Sequence, residues 1–445
     1  MLRHNWAGSL LAWCIGAGTL AAGALVSSPD ETKWAATRQQ TFEMVWSTVN
    51  EAYFDPRFGG VDWAAVRAQY EPRLTEAGDN PALRILLQQM LNELDRSHFA
   101  ILPREAAVFT PEERVRIGTM GVEVGWMDDA VVVTHVTTGG PAEKAGLRPG
   151  AALRVLDGRD LHELLAAVQQ SGRWDTLRAG RYLAQWTASH FRAAVGKRLK
   201  LRAQLSGGEN EQEFELESVS YEGAWSEPVG NFPSWPLELA SAVSTDGVAY
   251  LRFNVFARQV MKDIREFLLA LPPGGGLVLD LRGNPGGLAT MAPGITGWLT
   301  DRQLWLGRMK LRQGVMQFAA FPQEGAFTGP LAVLIDGTSA STAELMAAGL
   351  QETGRARIFG ERSAGQALPS SFKQLPSGDL FQFAMADIVT PRGRSLEGAG
   401  VVPDEIVLRT GADLAAGRDS VLDAARAWLL AERAKISTGQ IQTNN

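Results

Sequence analysis

Leu331-Ala332-Val333-Leu334-Ile335-Asp336-Gly337-Thr338-Ser339-Ala340-Ser341-Thr342-Ala343-Glu344-Leu345-Met346-Ala347-Ala348-Gly349-Leu350 is the stretch around which the rest of the chain makes sense. Five consecutive apolar residues fit a strand buried on both faces. Asp336-Gly337 breaks it, and a run of small and hydroxyl residues leads into helical spacing. In the order strand, turn, serine, helix, the serine side chain is lifted off the sheet edge while the free amides of the first helical turn point at whatever it attacks. That joint suits a nucleophile with half an oxyanion hole. Serine at a helix start is most often a cap, so on this stretch alone Ser339 and Ser341 stand between the two readings.

The remainder bounds the choice. A chain of 445 residues is too long for one core, and length alone suggests roughly two to four domains. Hydrophobic and charged fractions of 45% and 21% are those of a folded globular protein. A net charge of −6 with no Lys/Arg block argues against a nucleic-acid partner. Arg3 and His4 precede a run from Trp6 to Val26 without a charged residue, followed by Ser27-Ser28-Pro29-Asp30. Residues 1–28 therefore read as an export signal, with Ala22-Gly23-Ala24 as a cleavage site, and the run is also long enough for a membrane anchor. The expected location is the periplasm or cell envelope. Cys14, the one cysteine, lies inside that run, so the mature chain has no cysteine nucleophile, no intrachain disulfide and no Cys-ligated zinc. No His/Asp/Glu spacing suggests a metal site, and no cofactor is expected.

Between 37 and 104 the pattern is helical. Phe42, Val45, Trp46 and Val49, then Trp63, Val66 and Tyr70, then Leu83, Leu86, Leu87, Met90 and Leu91 recur at helix spacing with turn residues between the groups. The last helix ends at Leu94-Asp95-Arg96-Ser97-His98-Phe99, where His98 by itself reads as a structural or exposed histidine. From 105 to 220 short β patterns surround Gly140-Pro141-Ala142-Glu143-Lys144-Ala145-Gly146-Leu147-Arg148-Pro149-Gly150. This region resembles a PDZ domain, although Ala151-Ala152 replace a common acidic position and Ser171 to Gly196 is long for the connection it would make. The resemblance implies a groove where a peptide adds a strand, with a carboxylate-binding loop at Met120, Gly121 and Val122. From 221 to 410 strand and helix patterns alternate, as in an α/β layer fold. Gly276-Leu277-Val278-Leu279-Asp280-Leu281 runs into the turn Arg282-Gly283-Asn284-Pro285-Gly286-Gly287, and 411–445 gives one amphipathic helix and a polar tail.

Asp280 to Gly287, Ser339 to Glu344, Gly354-Arg355-Ala356 and Gly360-Glu361 together resemble the C-terminal-processing, or tail-specific, serine peptidases. The resemblance implies a crotonase-like catalytic domain with Ser341 as nucleophile and an oxyanion hole at Gly286, Gly287 and Thr342. The Ser/Lys members carry a lysine 25 residues after the serine, and Gln366 stands there. A glutamine amide accepts no proton and cannot be a general base. Leu94 to His98 is similar to the Ser-His segment of the tricorn-core branch, and Leu396-Glu397-Gly398-Ala399-Gly400-Val401-Val402-Pro403-Asp404 to its Glu-x-x-Gly-Val-x-Pro-Asp segment. That similarity implies a triad of Ser341, His98 and Glu397, acting on protein or peptide substrates through their C-terminal tails. Two alternatives stay open: a Ser/Lys variant using Lys373, and a catalytically silent PDZ-bearing adaptor on a peptidase scaffold.

Overall fold

The protein is described by a computed structural model covering residues 31–170, 175–208, 210–272 and 274–437. The expected signal or anchor, with Cys14, lies outside the described residues. The chain divides into two compact units.

The first unit holds the described residues from 31 to 221 with 228–234 and 370–386. It opens on the helices Glu31–Ala52, Trp63–Tyr70 and Asn80–Asn92. Asp62 and Asp79 cap the second and third by accepting the Ala65 and Ala82 amides. The apolar positions at helix spacing close on one another, with Phe42, Val45, Val49, Leu83 and Met90 fully buried. Trp46 and Trp63 each donate the indole N–H to the other's carbonyl, at 3.0 and 3.1 Å. The strand Ala100–Leu102 then pairs with Leu380–Ala384, which pairs with Ser370–Gln374. This differs from the expected boundaries. Sequence position puts residues 370–386 in the 221–410 domain, but their ladder and Phe372 and Leu380 join Ala100, Leu102 and Ala107 in a small core.

The rest of the unit is built around an antiparallel sheet in the order Val122–Met127, Ala130–Val136, Ala152–Leu156, Arg198–Gln204, Glu211–Glu217, with a small sheet of Val219–Ser220, Ile117–Thr119 and Arg192–Ala194 beside it in sequence. The long connection beginning at Ser171 contains a helix, Thr176–His190, whose Leu183, Ala184 and Trp186 join the core of this sheet. Gly180 lies flat against the Trp126 indole, leaving no room for a Cβ.

The second unit is built on a six-stranded sheet in the order Leu239–Val243, Val248–Phe253, Gly276–Asp280, Leu331–Ile335, Arg357–Gly360, Glu405–Ile406. The first pair is antiparallel and the others are parallel. Alternate residues face opposite layers. Leu277, Leu279, Leu331, Val333 and Ile335 pack with the helices Met261–Leu269, Met291–Gly297 and Thr342–Glu352. Val278, Ala332, Leu334 and Phe359 pack with Val421, Ala425 and Leu429 of the helix Ser420–Ser437. Burial on both faces is why these strands read as unbroken apolar runs. Among the described residues no helix is long and apolar enough to cross a membrane.

Candidate active site

Three neighbouring parallel strands end at the same edge of the sheet, Asp280, Ile335 and Gly360 being their last residues. The segments that follow, 281–287, 336–341 and 361–366, therefore meet beyond the carboxyl ends of the strands, where ligands of open α/β sheets bind.

Asp336 joins the first two segments. Its Oδ1 accepts from the Gly283, Thr338 and Ser339 amides at 3.2, 3.0 and 3.1 Å and from the Thr338 hydroxyl at 2.6 Å. The Arg409 charge and these bonds hold its carboxyl below the usual range although burial opposes them. Ser339 donates its hydroxyl to the Leu281 carbonyl at 2.8 Å and is buried, so it is structural. Beneath the glycine turn, Arg282 is paired with Asp280 at 2.6 Å and Asp419 at 2.8 Å, and Tyr250 donates to Asp280 at 2.8 Å.

Ser341 is the N-cap of Thr342–Glu352, with φ 54° and ψ −116°. A side-chain-bearing residue in that region carries strain of about 1–3 kcal/mol, which persists only when surrounding bonds over-determine it. They do so here. The Ser341 N–H faces the Gln366 carbonyl at 2.9 Å and the Glu344 carboxylate at 3.0 Å, and the Ala340 N–H bonds the Asn284 carbonyl at 3.0 Å. Gly286, at φ 101°, passes so close that a Cβ there would lie 2.7 Å from the Ser341 Cβ and 2.9 Å from the Thr342 nitrogen. Gly287, at φ 128°, is pressed against the Phe256 backbone, and its carbonyl accepts the Thr342 hydroxyl at 2.9 Å. Asn284, fully buried, receives the Gly286 N–H on its side-chain oxygen at 2.9 Å and gives its amide to the Phe253 carbonyl at 2.8 Å.

Glu344 is also fully buried. Its carboxyl accepts from the Ser363 hydroxyl, the Gly365 and Gln366 amides and the Ser341 amide. Burial pushes its pKa up to about 7, the Glu397 charge adds to that, and the hydrogen bonds pull the other way. Glu397 accepts the Ala367 N–H at 3.0 Å, one residue beyond Gln366.

Residues 247–407 match the family described as Peptidase family S41, and residues 35–92 match the Tricorn protease C1 domain. Residues 247–407 belong to peptidase family S41. This S41 peptidase is 26% identical over 375 residues to a carboxyl-terminal-processing protease of Synechocystis sp., covering 81% of this chain and 79% of that one. It is 27% identical over 364 residues to a carboxy-terminal-processing protease of Bartonella bacilliformis, covering 79% and 74%. In fold it is similar to the photosystem II D1 C-terminal processing protease, with a TM-score of 0.58 and 22% identity over 89% of this chain and 98% of that one. It is also similar to mature CPAF complexed with lactacystin, with a TM-score of 0.63 and 15% identity over 89% and 98%.

Of the residues singled out in the sequence of this S41 peptidase, Ser341, Thr342, Gly286, Gly287, Gln366 and Glu397 gather in one unit. As an oxyanion donor Gly286 is corrected: its N–H is already given to Asn284, and it serves by leaving room. His98 belongs to the other unit, at φ 61° on the loop after Asn80–Asn92. Buried Gln88 fixes that loop by donating to the Phe99 carbonyl and accepting the Ile101 N–H. The Ser97 hydroxyl lies 2.7 Å from His98 Nδ1. Burial pulls the His98 pKa down to about 4. Lys373, on the strand Ser370–Gln374, donates to Thr48 of the first helix at 3.2 Å. The loop expected to hold a peptide carboxylate does not offer an open cradle, because the Met120 N–H bonds the Phe191 carbonyl and the Gly121 N–H bonds the Thr119 hydroxyl, while Val122 opens the first strand of the sheet. Among the described residues no cluster of His, Cys, Asp or Glu is arranged to hold a metal ion.

Sequence reading assigned no role to Asp336, Asn284, Ser97 or Glu344. The spacing Ser341-Thr342-Ala343-Glu344 carried a signal, since Glu at the third helical position is half of a capping box.

Proposed function

We propose that this serine peptidase is an exported endopeptidase of the C-terminal-processing type. In this reading the second unit is a crotonase-like catalytic domain and residues 105–220 are a PDZ-like module. The carrying observation is Ser341 held at φ 54° over a glycine turn. Its Oγ attacks a peptide carbonyl carbon while its proton passes to His98. In the tautomer whose Nδ1–H donates to the Ser97 hydroxyl, Nε2 is the accepting nitrogen, and a lowered pKa keeps the imidazole neutral at neutral pH. The oxyanion is received by the Gly287 and Thr342 amides. Collapse breaks the C–N bond, the imidazolium protonates the leaving amine, and water taken through the same histidine hydrolyses the acyl-serine. Glu397 stabilises the transient imidazolium. Gln366 contributes through its backbone, by accepting the Ser341 N–H.

Substrates are protein C-terminal tails, in line with the names of the relatives, or partly unfolded chains. Fluorophosphonate labelling of the mature protein tests the reading. Labelling is expected in wild type and Gln366→Ala and absent in Ser341→Ala and His98→Ala. Labelling kept by His98→Ala removes the triad, and an unlabelled wild type that still binds peptides favours an adaptor.

A further inference from the structure

The Glu344 carboxylate lies beneath the nucleophile and is not needed to attack, relay a proton or hold the oxyanion. A capping role accounts for one of its bonds, the Ser341 N–H at 3.0 Å. The other three bonds reach away from the helix. Oε1 accepts the Ser363 hydroxyl at 2.6 Å and the Gly365 N–H at 2.8 Å, and Oε2 also accepts the Gln366 N–H at 3.1 Å. An ionised carboxylate has about four acceptor positions, and donors occupy all of them.

The bonds continue outward. The Ser363 hydroxyl accepts the Val401 N–H at 2.6 Å, the Ser363 N–H bonds the Val401 carbonyl at 3.1 Å, and the Gly398 N–H bonds the Gly365 carbonyl at 2.8 Å. The segment carrying Glu397 is thereby fastened to 363–366, and 363–366 to the Ser341 turn by this buried side chain together with two backbone bonds, Ser341 N–H to the Gln366 carbonyl at 2.9 Å and Ala364 N–H to the Ser339 carbonyl at 3.0 Å.

We propose that Glu344 is a positioning residue, whose carboxylate holds the Ser341 amide, the 363–366 segment and, through Ser363, the Glu397 loop in one register. The inference rests on the reading of Ser341 as nucleophile. Without this anchor the Ser341 turn loses one of the two acceptors of its N–H, and the segment joining it to the Glu397 loop is left with its backbone bonds alone. A nucleophile misplaced by about 1 Å reacts on the order of 100-fold more slowly.

The test uses the full chain with Glu344→Ala, Glu344→Gln and, as a control, Val421→Ala in the core on the opposite face of the sheet. Amide hydrogen exchange is followed in the peptides containing Ser341 and Gly365-Gln366, with probe labelling, kcat and KM measured in parallel. For Glu344→Ala, exchange is expected to rise in both peptides together, with labelling and kcat falling roughly 100-fold and KM staying within about twofold. Glu344→Gln keeps an acceptor oxygen and should recover about tenfold of that loss. Val421→Ala should lower the melting temperature without slowing labelling. Unchanged exchange in those peptides, or an equal loss of kcat in Val421→Ala, overturns the proposal. Should Glu344→Ala fail to fold, Glu344→Gln decides by the same criteria. A wild type that takes no probe refutes the nucleophile reading, while the exchange measurement still decides whether Glu344 holds the turn.

Discussion

Gly286→Ala isolates the steric requirement of the oxyanion site. An alanine Cβ would lie 2.7 Å from the Ser341 Cβ, 2.9 Å from the Thr342 nitrogen and 3.0 Å from the Ala340 carbonyl oxygen. Carbon atoms in contact sit about 3.5–4.0 Å apart, so the glycine turn or the Ser341 turn has to move by about 1 Å. Neither is free to yield, since the first is fixed by Asn284 and Asp336 and the second by Gln366 and Glu344. A displacement of that size costs on the order of 100-fold in rate. The methyl group also stands over the Thr342 N–H, and losing one oxyanion donor costs roughly 100- to 1000-fold. Both routes predict a fall in kcat of at least about 100-fold. Gly283→Ala is the control. It shares a left-handed φ of 73°, but its Cβ meets only an Arg252 guanidinium nitrogen at 3.6 Å, an ordinary contact. It should lose about 1–2 kcal/mol of stability from backbone strain and keep turnover. The assay is peptide hydrolysis and probe labelling beside thermal unfolding. Gly286→Ala turning over within about threefold of wild type, or Gly283→Ala losing as much, refutes the argument.

Further outcomes follow from the same contacts. Because the folded pKa of Glu344 is raised to about 7, chiefly by burial with the Glu397 charge adding to it, its contribution to stability is complete below the ordinary value of 4.5 and is lost as pH rises through 7. Wild type should therefore lose roughly 3 kcal/mol relative to Glu344→Gln between pH 4 and 8, measured by chemical unfolding, and a pH-independent difference would contradict it. Asp419→Ala leaves buried Arg282 with Asp280 alone and frees the start of the Ser420–Ser437 helix, so urea unfolding should register a loss of roughly 3 kcal/mol; a loss below about 1 kcal/mol would mean the pair is screened. Gly180→Val drives side-chain atoms into the Trp126 ring and should cost the first unit about 1–3 kcal/mol with a shift in tryptophan fluorescence; an unchanged melting curve and spectrum would show that the helix can back away.

The catalytic half of the fold was legible because its strands are buried on both faces. Leu331–Ile335 and Gly276–Asp280 announce themselves by continuous apolar runs, and the Asp336-Gly337 break marks where the sheet ends. Ser341 could be chosen over Ser339 only by family resemblance, since both hydroxyls suit a helix start. The structure separates them physically, as Ser339 gives its hydroxyl to Leu281 while Ser341 carries the strained φ. The hubs Asp336, Asn284 and Glu344 were quoted without a role because a polar residue's burial is invisible in a linear pattern. Residues 370–386 fall by sequence position among the wrong neighbours for a related reason: strand pairing with Ala100–Leu102 spans a long stretch of chain and leaves no local periodicity.

Glutamine at the position of the family lysine raises the question of whether the site has any use for a serine. The backbone supplies a way to ask. At φ 54° and ψ −116° glycine sits without penalty, whereas serine or alanine carries about 1–3 kcal/mol of strain. At an ordinary position Gly is less stable than Ala by about 0.5–1 kcal/mol because it loses more chain entropy on folding. At 341 the order should invert, with Ser341→Gly more stable than Ser341→Ala by about 1 kcal/mol and both unable to take the fluorophosphonate probe. Thermal and chemical unfolding of the pair measure the difference directly, since neither variant has the hydroxyl and only the Cβ differs. The inverted order would show that the wild-type chain bears a strain that folding does not require, which a peptide-binding scaffold has no reason to hold and a nucleophile needs. The ordinary order, Ala above Gly, would show that the turn is relaxed in solution and would remove the main structural support for Ser341 as nucleophile.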